Sequence, residues 1–388
     1  MALLERKDIT LHITTQAAYG AIDANPVFTE VRKTSGGMTS NPTYTQSNEL
    51  KTNGQAAKQI QTLRESSMSI EFDMNQQTAG LFENLIHGVQ QDNSQVADTG
   101  IEATATGFIM PTGHVSALSV GDWIQLSGFT NSELDTVYKV KSIDSATEIT
   151  TYVAPVATES AGESVTLTSI KCASGTTQTV ITAQQRTFDG SKAGSIDYMT
   201  AKNVITDSGT ISIGKSGVVT GSFEYNFGNP ENSRAEITGQ TDAATDTSDV
   251  VSADNNMKML YVDGVNSGCV LSSIDVEFAN NHEGDGGGAG GCPQEYARNQ
   301  ITVSGALVAK AFRDDSMVWH DRQQSGTRIA LASHIYWPDG RWMVVEVTRA
   351  IVTEHSFDGD SFVENAMSYT AEEDPTTGTT VQIFRSWT

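Results

Sequence analysis

The chain has 388 residues, with 24 basic against 47 acidic side chains and a formal net charge of -23. That length buries a substantial core without staples, and the acidic excess excludes the phosphate-neutralising footprint of a general nucleic-acid binder while favouring solubility. Three cysteines, Cys172, Cys269 and Cys292, at wide and unequal spacing form neither a disulfide framework nor a zinc ribbon and fit folding in a reducing cytoplasm. The opening MALLERKDITLHITTQ has charges at positions 5 to 8 and no apolar core, so no secretory signal is expected. No run approaches the ~18 apolar residues of a membrane helix, so a soluble protein is expected.

In chain order, short alternating runs broken by Gly, Asn and Asp predict an antiparallel β protein. Over Ser67 to Met74, the side chains of Met68, Ile70, Phe72 and Met74 face one way and Ser67, Ser69, Glu71 and Asp73 the other. Next comes QQTAGLFENLIHG, where Leu81, Phe82, Leu85 and Ile86 form one helical stripe, with Thr78 expected to cap the start and Gly88 the end. From about Asp98 to Cys172 the texture changes to GDWIQLSGF, TVYKVKSID and EITTYVAP, the spacing of a small β domain. Its expected core is Trp123, Ile124, Leu126, Phe129, Val137, Tyr138, Val140 and Ile143. Further strands are expected at Gln178 to Ala183, Asn203 to Ile213, Thr220 to Phe227, Val270 to Phe278, Gln300 to Phe312, Arg328 to Tyr336, Trp342 to Glu354 and Val381 to Arg385. A short helix at Asp315 to Gln323, capped by Asp314 or Asp315, would carry Met317, Val318 and Trp319 as its apolar part. Glu231 to Asp254, rich in Thr, Asp and Ala, reads as a long surface loop or arm, and HEGDGGGAGG at His282 to Gly291 as a flexible loop.

GTISIGKS, Gly209 to Ser216, satisfies the phosphate-loop pattern. Function would require a helix after Ser216 whose first amides hold phosphate. Instead Thr210 to Ile213 alternate as a strand and VVTGSFEYNF returns as the next, which predicts a hairpin turn. The seven histidines show no metal-ligand spacing, and one aspartate among the glycines of Gly284 to Gly291 does not make a calcium loop. Acidic pairs such as Glu372 and Glu373, or Asp358 and Asp360, read as solvated surface rather than glycosidase carboxylates. No nucleophile elbow is present. The chain is therefore expected not to be an enzyme, with no catalytic residue, cofactor or metal.

The run VFTEVRKTSGGMTSNPTYTQSNELKTNGQAAKQIQTLRESSMSIEFDMNQQTAGLFENLIHG, Val27 to Gly88, places a strand, a polar segment, an alternating strand and a helix in succession. It resembles the tail tube, or major tail, proteins of siphophages, as do GVVTGSFEYNFG and DPTTGTTVQIFRS further on. The resemblance implies a mainly β fold, a β-sandwich or split barrel flanked by a helix, formed by residues 1–95 and 173–388. Residues 96–172 would be an inserted small all-β domain on the tube exterior.

The resemblance further implies a virion protein, assembled in the host cytoplasm, whose hexameric rings stack into the hollow tube of a long non-contractile tail and pass DNA at ejection. Implied partners are other copies of the chain and the tape measure, tail terminator and distal tail proteins, with genomic DNA passing through unbound and no membrane contact. A lumen lined by Ser, Thr, Glu and Asp would repel phosphate. Glu71, Asp73 and Glu224, on the polar faces of the clearest strands, are the lumen candidates, although alternation shows a wet face without saying which water it meets. The long polar loop Thr34 to Arg64 is the candidate ring-to-ring contact, through Asn41, Pro42, Tyr44, Gln46 and Asn48. The rival readings are another tail or baseplate component and a carbohydrate-binding adhesin with Trp123 or Trp337 stacked on sugar.

Overall fold

The structure, a computed structural model, describes residues 9–16, 19–46, 59–189, 195–214, 216–252, 257–266, 271–285, 296–310, 317–358 and 364–387. The fold is mainly β, with large antiparallel sheets and, among the described residues, no closed barrel. Among the described residues nineteen strands form one connected sheet system and seven form a second sheet.

The long run of the first system begins at Ser35–Gln46 and continues through Gln59–Asp73, Thr220–Phe227, the second half of Ser195–Gly214, Leu271–Ala279, Thr302–Lys310 and Glu364–Ala371 to the second half of Trp342–Asp358. Two strands in this run change partners midway. Up to Val204, Ser195–Gly214 pairs with Ile181–Asp189, and from Ile205 with Thr220–Phe227. The turnover falls beside Asn203, whose φ of 54° is one that asparagine tolerates. Likewise Met343 to Val347 pair with Val381–Arg385, whereas Ala350 onward pairs with Glu364–Ala371. The first crossing leads to Ile181–Asp189 and Ile9–Thr15, and the second into a layer in which Val89–Asp92, Ile170–Ala173, Val381–Arg385, Trp342–Asp358, Arg328–Tyr336 and Met257–Val262 lie side by side.

One apolar core holds both layers and the helix Gln76–Leu85 together, from Met68, Ile70, Phe72 and Phe223 to Val345, Val381 and Ile383. Phe82, fully buried, sits 4.5 Å from Phe223 and 6.1 Å from Phe278, ring centre to ring centre, and Phe72 stacks on Phe223 at 5.0 Å. Each such phenylalanine contributes about 1.5–3 kcal/mol by leaving water. The helix cap differs from expectation: Asn75 is the cap, its side chain accepting from the Thr78 amide at 3.0 Å while the Thr78 hydroxyl accepts from the Asn75 amide at 3.0 Å. Thr78 is thus the reciprocating member of a capping box. The helix ends at Leu85, with Ile86 as C-cap and His87 at φ 51°, before Gly88 is reached.

The second expected helix is Val318–Ser325, ended by Gly326 in the left-handed region. Of its three apolar residues Trp319 is buried while Met317 and Val318 are exposed, and Asp314 and Asp315 lie outside the described residues. The segment Thr34 to Arg64 is not a loop where it is described. Ser35–Gln46 and Gln59–Asp73 form an antiparallel hairpin ladder, with Pro42 opposite Arg64. Ser35–Gln46 pairs on one side only among the described residues, the setting in which a strand tolerates proline.

The seven-stranded sheet spans Gln95–Asp98 to Val165–Thr168 and has its own core, from Phe108, Ile124, Leu126, Tyr138 and Val140 to Leu167. Trp123 and Val137, expected in that core, point instead onto the frame. They pack with Tyr261, Ala332, Trp342, Val344 and Phe384. Ile143, also expected inside, is 38% exposed. Ile170–Ala173 pairs with Val89–Asp92 and Val381–Arg385 and so continues the frame.

Candidate assembly surfaces

Along the long run of strands, apart from the hairpin end at Asn41 to Gln46, one side of each strand is buried and the other wet, and the registers join the wet positions into rows. One row runs Ser35, Glu71, Ser222, Thr210, Glu277, Ser304 and Thr370. The next runs Asp73, Thr220, Ser212, Asp275, Ala306, Ser368 and Glu354. A third runs Gly37, Ser69, Glu224, Ser208, Ala279 and Thr302. Six carboxylates stand in these rows, Glu71, Glu277, Asp73, Asp275, Glu354 and Glu224, and no lysine or arginine. Hydroxyls tie neighbouring strands: Thr210 and Ser222 lie 2.9 Å apart, Ser35 donates to Glu71 and Ser212 to Asp275.

Strand alternation thus brings the three expected acidic residues onto one exposed face. Glu71 and Glu224 are exposed there and Asp73 is half-buried. Asp275, Glu277 and Glu354 belong to the same face and went unnoticed in sequence, although VLSSIDVEF alternates as clearly as the strand carrying Glu71.

The opposite side of this sheet explains Gly209, first residue of the phosphate-loop match. A Cβ there would lie 2.7 Å from Leu85 Cδ2 and 3.0 Å from Phe223 Cδ1. Glycine at this position lets the helix seat on the sheet. Gly209 to Gly214 are strand, Val218 is bridged to Ser252, and the next element is the strand Thr220–Phe227 rather than a helix. Lys215 lies outside the described residues.

On the hairpin, Asn41, Pro42, Tyr44 and Gln46 are all exposed, Tyr44 at 55%, and Asn48 lies outside the described residues. The stretch Glu231 to Asp254 is exposed over most of its described length. It is held to the frame by two arginines and a plug. Arg186 donates both terminal nitrogens to Asp242 at 2.7 Å, Arg32 reaches the Ser248 carbonyl at 2.6 Å, and Val251 is fully buried. The Arg186 hydrogen bonds hold Asp242 below the usual carboxylate range.

Where the seven-stranded sheet meets the frame, charge is buried. Lys139 pairs with Glu346, 8% and 3% exposed, and Trp123 Nε1 donates to the other Glu346 oxygen at 2.7 Å. Trp342 Nε1 donates to Gln125 Oε1 at 2.8 Å, crossing the junction in the other direction. Lys171 pairs with Asp122 at 2.7 Å. Since Trp123 and Trp337 are 1% and 2% exposed, neither is free to stack on a sugar.

Among the described residues the remaining polar groups form no reaction centre. An open cavity of about 390 Å³ is lined by Gln185, Asp197, Tyr198, Asn232 and Arg234, without a nucleophile beside a base. Burial, aided by Arg186, lowers His12 to about 4; burial, aided by Arg298 and His282, lowers His87 to about 4. Cys172 is buried and pushed up to about 12, the state of an inert thiol. Among the described residues no three His, Cys, Asp or Glu side chains converge as a metal site, and no helix is long and apolar enough to cross a membrane.

A mainly β chain with a polar sheet face, a projecting exposed hairpin and a docked accessory sheet defines a structural assembly protein. Residues 7–371 match the family described as phage tail tube protein, and the chain belongs to that family. It is a structural, non-enzymatic family, so the chain is a virion component that self-assembles into a tube. No curated protein matches the chain.

Proposed function

We propose that six copies form a ring, that rings stack into the hollow tube of a long non-contractile siphophage tail, and that the acidic sheet face lines the channel through which DNA is ejected. The observation that carries this reading is the three cation-free rows crossing one sheet, with Glu71, Asp73 and Glu224 joined by Asp275, Glu277 and Glu354. A wall of carboxylates and hydroxyls repels phosphate and gives a sliding polyanion no site to rest on. Ser35–Gln46, which ladders with one strand among the described residues, would set its other edge towards a neighbouring copy. Cryo-electron microscopy of tubes grown from purified protein tests the reading: six subunits per ring with these carboxylates on the inner wall are expected, and carboxylates on the outer wall would overturn it.

The hairpin of Ser35–Gln46 and Gln59–Asp73 is the ring-to-ring contact, with Asn41, Pro42, Tyr44, Gln46 and Asn48 docking on the adjacent ring. Its exposed apolar Tyr44 and Ile60, 55% and 57%, support that role. A shortened hairpin should leave a folded monomer that does not polymerise; normal tubes by negative-stain microscopy would defeat it. The insert, expected at residues 96–172 and built of the strands from Gln95–Asp98 to Val165–Thr168, sits on the tube exterior, a reading supported by its attachment to the layer that carries Trp342 and Phe384 rather than to the acidic face. Assembly takes place in the host cytoplasm, where the tape measure, terminator and distal tail proteins set the tube's length and ends.

A further inference from the structure

The chain leaves the frame through Val89–Asp92 and returns through Ile170–Ala173, and these two strands pair, with Gln91 opposite Lys171 and Asp92 opposite Ile170. The Asn93 amide continues the ladder by donating to the Ser169 carbonyl at 2.8 Å. Asn93 stands two residues beyond Gln91, so it shares a face with the Lys171 side chain. Such diagonal neighbours lie roughly 7–8 Å apart at Cα, within reach of a lysine. Between them sits Asp122, contributed by the insert and 0% exposed. Its Oδ1 is 2.7 Å from Lys171 Nζ, and its Oδ2 accepts from Asn93 Nδ2 at 3.4 Å and from the Ser119 amide at 2.8 Å. The Phe384 ring centre lies 5.7 Å from Nζ.

A primary amine, a carboxamide and a buried carboxylate that touches both are the groups an amide exchange requires. We propose that Lys171 and Asn93 are a self-processing pair that joins into an isopeptide bond, with Asp122 as the acid–base group. In the exchange Lys171 passes one ammonium proton to Asp122, whose Oδ1 its Nζ already meets at 2.7 Å. The freed lone pair then forms an Nζ–Cγ bond with Asn93. The Cγ–Nδ2 bond breaks as Asp122 returns that proton to Nδ2, the nitrogen it already hydrogen-bonds. A second proton leaves Nζ for Asp122 and is carried off by the departing ammonia as ammonium. Asp122 is again a carboxylate, and the two side chains share a secondary amide.

The bond closes the neck of the insert, so that the accessory sheet stays attached where its two linkers meet the frame. A second lysine at this junction shows what is special here. Lys139 pairs with Glu346, but the third member is the Trp123 indole N–H, so that trio has no carboxamide to exchange.

Mass spectrometry of the full chain, taken from assembled tubes and digested under denaturing conditions, decides the matter. The expected result is one branched peptide containing Asn93 and Lys171, lighter by one ammonia than the sum of its parts. Asn93→Ala and Lys171→Arg should each abolish it, and Asp122→Ala should leave both side chains unreacted. Recovery of separate linear peptides containing unmodified Asn93 and Lys171 from the wild-type chain would overturn the proposal and leave the trio as a non-covalent ion pair. That readout is independent of whether any variant folds, and of where the acidic face points in the tube.

Discussion

On the long sheet, Glu71, Glu224 and Glu277 stand in water in rows without a cation, whereas at the junction with the seven-stranded sheet Glu346 is 3% exposed and held by Lys139 and Trp123. The same side chain has opposite energetics in the two regions. In water a carboxylate is fully solvated and its neighbours' charges are screened, so its removal alters the surface field and little else. Out of water it persists only because each oxygen has a partner, and those partners fix the relative register of two packed sheets.

The largest test of this contrast is Glu346→Ala. It leaves Lys139 buried without its counter-ion, and a loss of about 3–5 kcal/mol in unfolding free energy is expected from denaturant titration. The double variant Lys139→Met with Glu346→Met should recover most of it, since a matched apolar pair removes both desolvation costs. Failure of that recovery would mean that the junction is held by Trp123 and Trp342 packing and not by charge.

Acid should then separate the two regions. His12 and His87 both lie in the frame, and both have folded-state values of about 4 against 6.5 in the unfolded chain. The unfolded chain therefore binds protons that the folded frame refuses. Stability is complete above pH 6.5 and declines as pH falls toward 4, by about 3 kcal/mol per histidine. Hydrogen exchange between those limits should show the frame loosening before the seven-stranded sheet, and His87→Phe should flatten the dependence.

A smaller effect is confined to the frame's helix. Asn75→Ala deletes the acceptor for the Thr78 amide and should cost about 1 kcal/mol by thermal unfolding. Thr78→Ala deletes the reciprocal acceptor for the Asn75 amide and should cost a comparable amount.

Sequence periodicity revealed those parts of the fold in which one face is dry. Thr220–Phe227 matches its expected limits because period-two alternation is a local signal, while Arg328–Tyr336 and Val381–Arg385, covered on both faces over most of their length, match theirs as short runs bounded by turn residues. In sequence the hairpin looks like a loop because Asn41, Pro42, Thr43, Tyr44, Thr45 and Gln46 are exposed on both faces, and a strand with no dry side does not alternate. Trp123 and Val137 look buried in sequence but belong to a different core from the expected one, since alternation says that a residue is covered and not what covers it. Glu346, 207 positions from Lys139, could be paired with it only in three dimensions. The acidic face was half legible: each strand showed its wet side, but only the register shows that Glu71 and Glu277 stand in one row.

The smallest expected effect is the one that bears most on that face. Glu71→Gln, Glu224→Gln and Glu277→Gln each keep side-chain shape and remove one charge from an exposed like-charged surface. Each should move unfolding free energy by no more than about 0.5 kcal/mol, with a tendency to stabilise because repulsion along the rows is relieved. Glu346→Gln, the same chemical change at the junction, should cost several times more, because the buried Lys139 loses its counter-ion. Raising ionic strength should erase the small gains on the sheet, whose charges are solvent-screened, and leave the junction cost nearly unchanged. If Glu277→Gln were as damaging as Glu346→Gln, the rows would not be a solvated wall but a packed interface. The acidic face would then be a contact between subunits, and the channel would have to be lined by another surface.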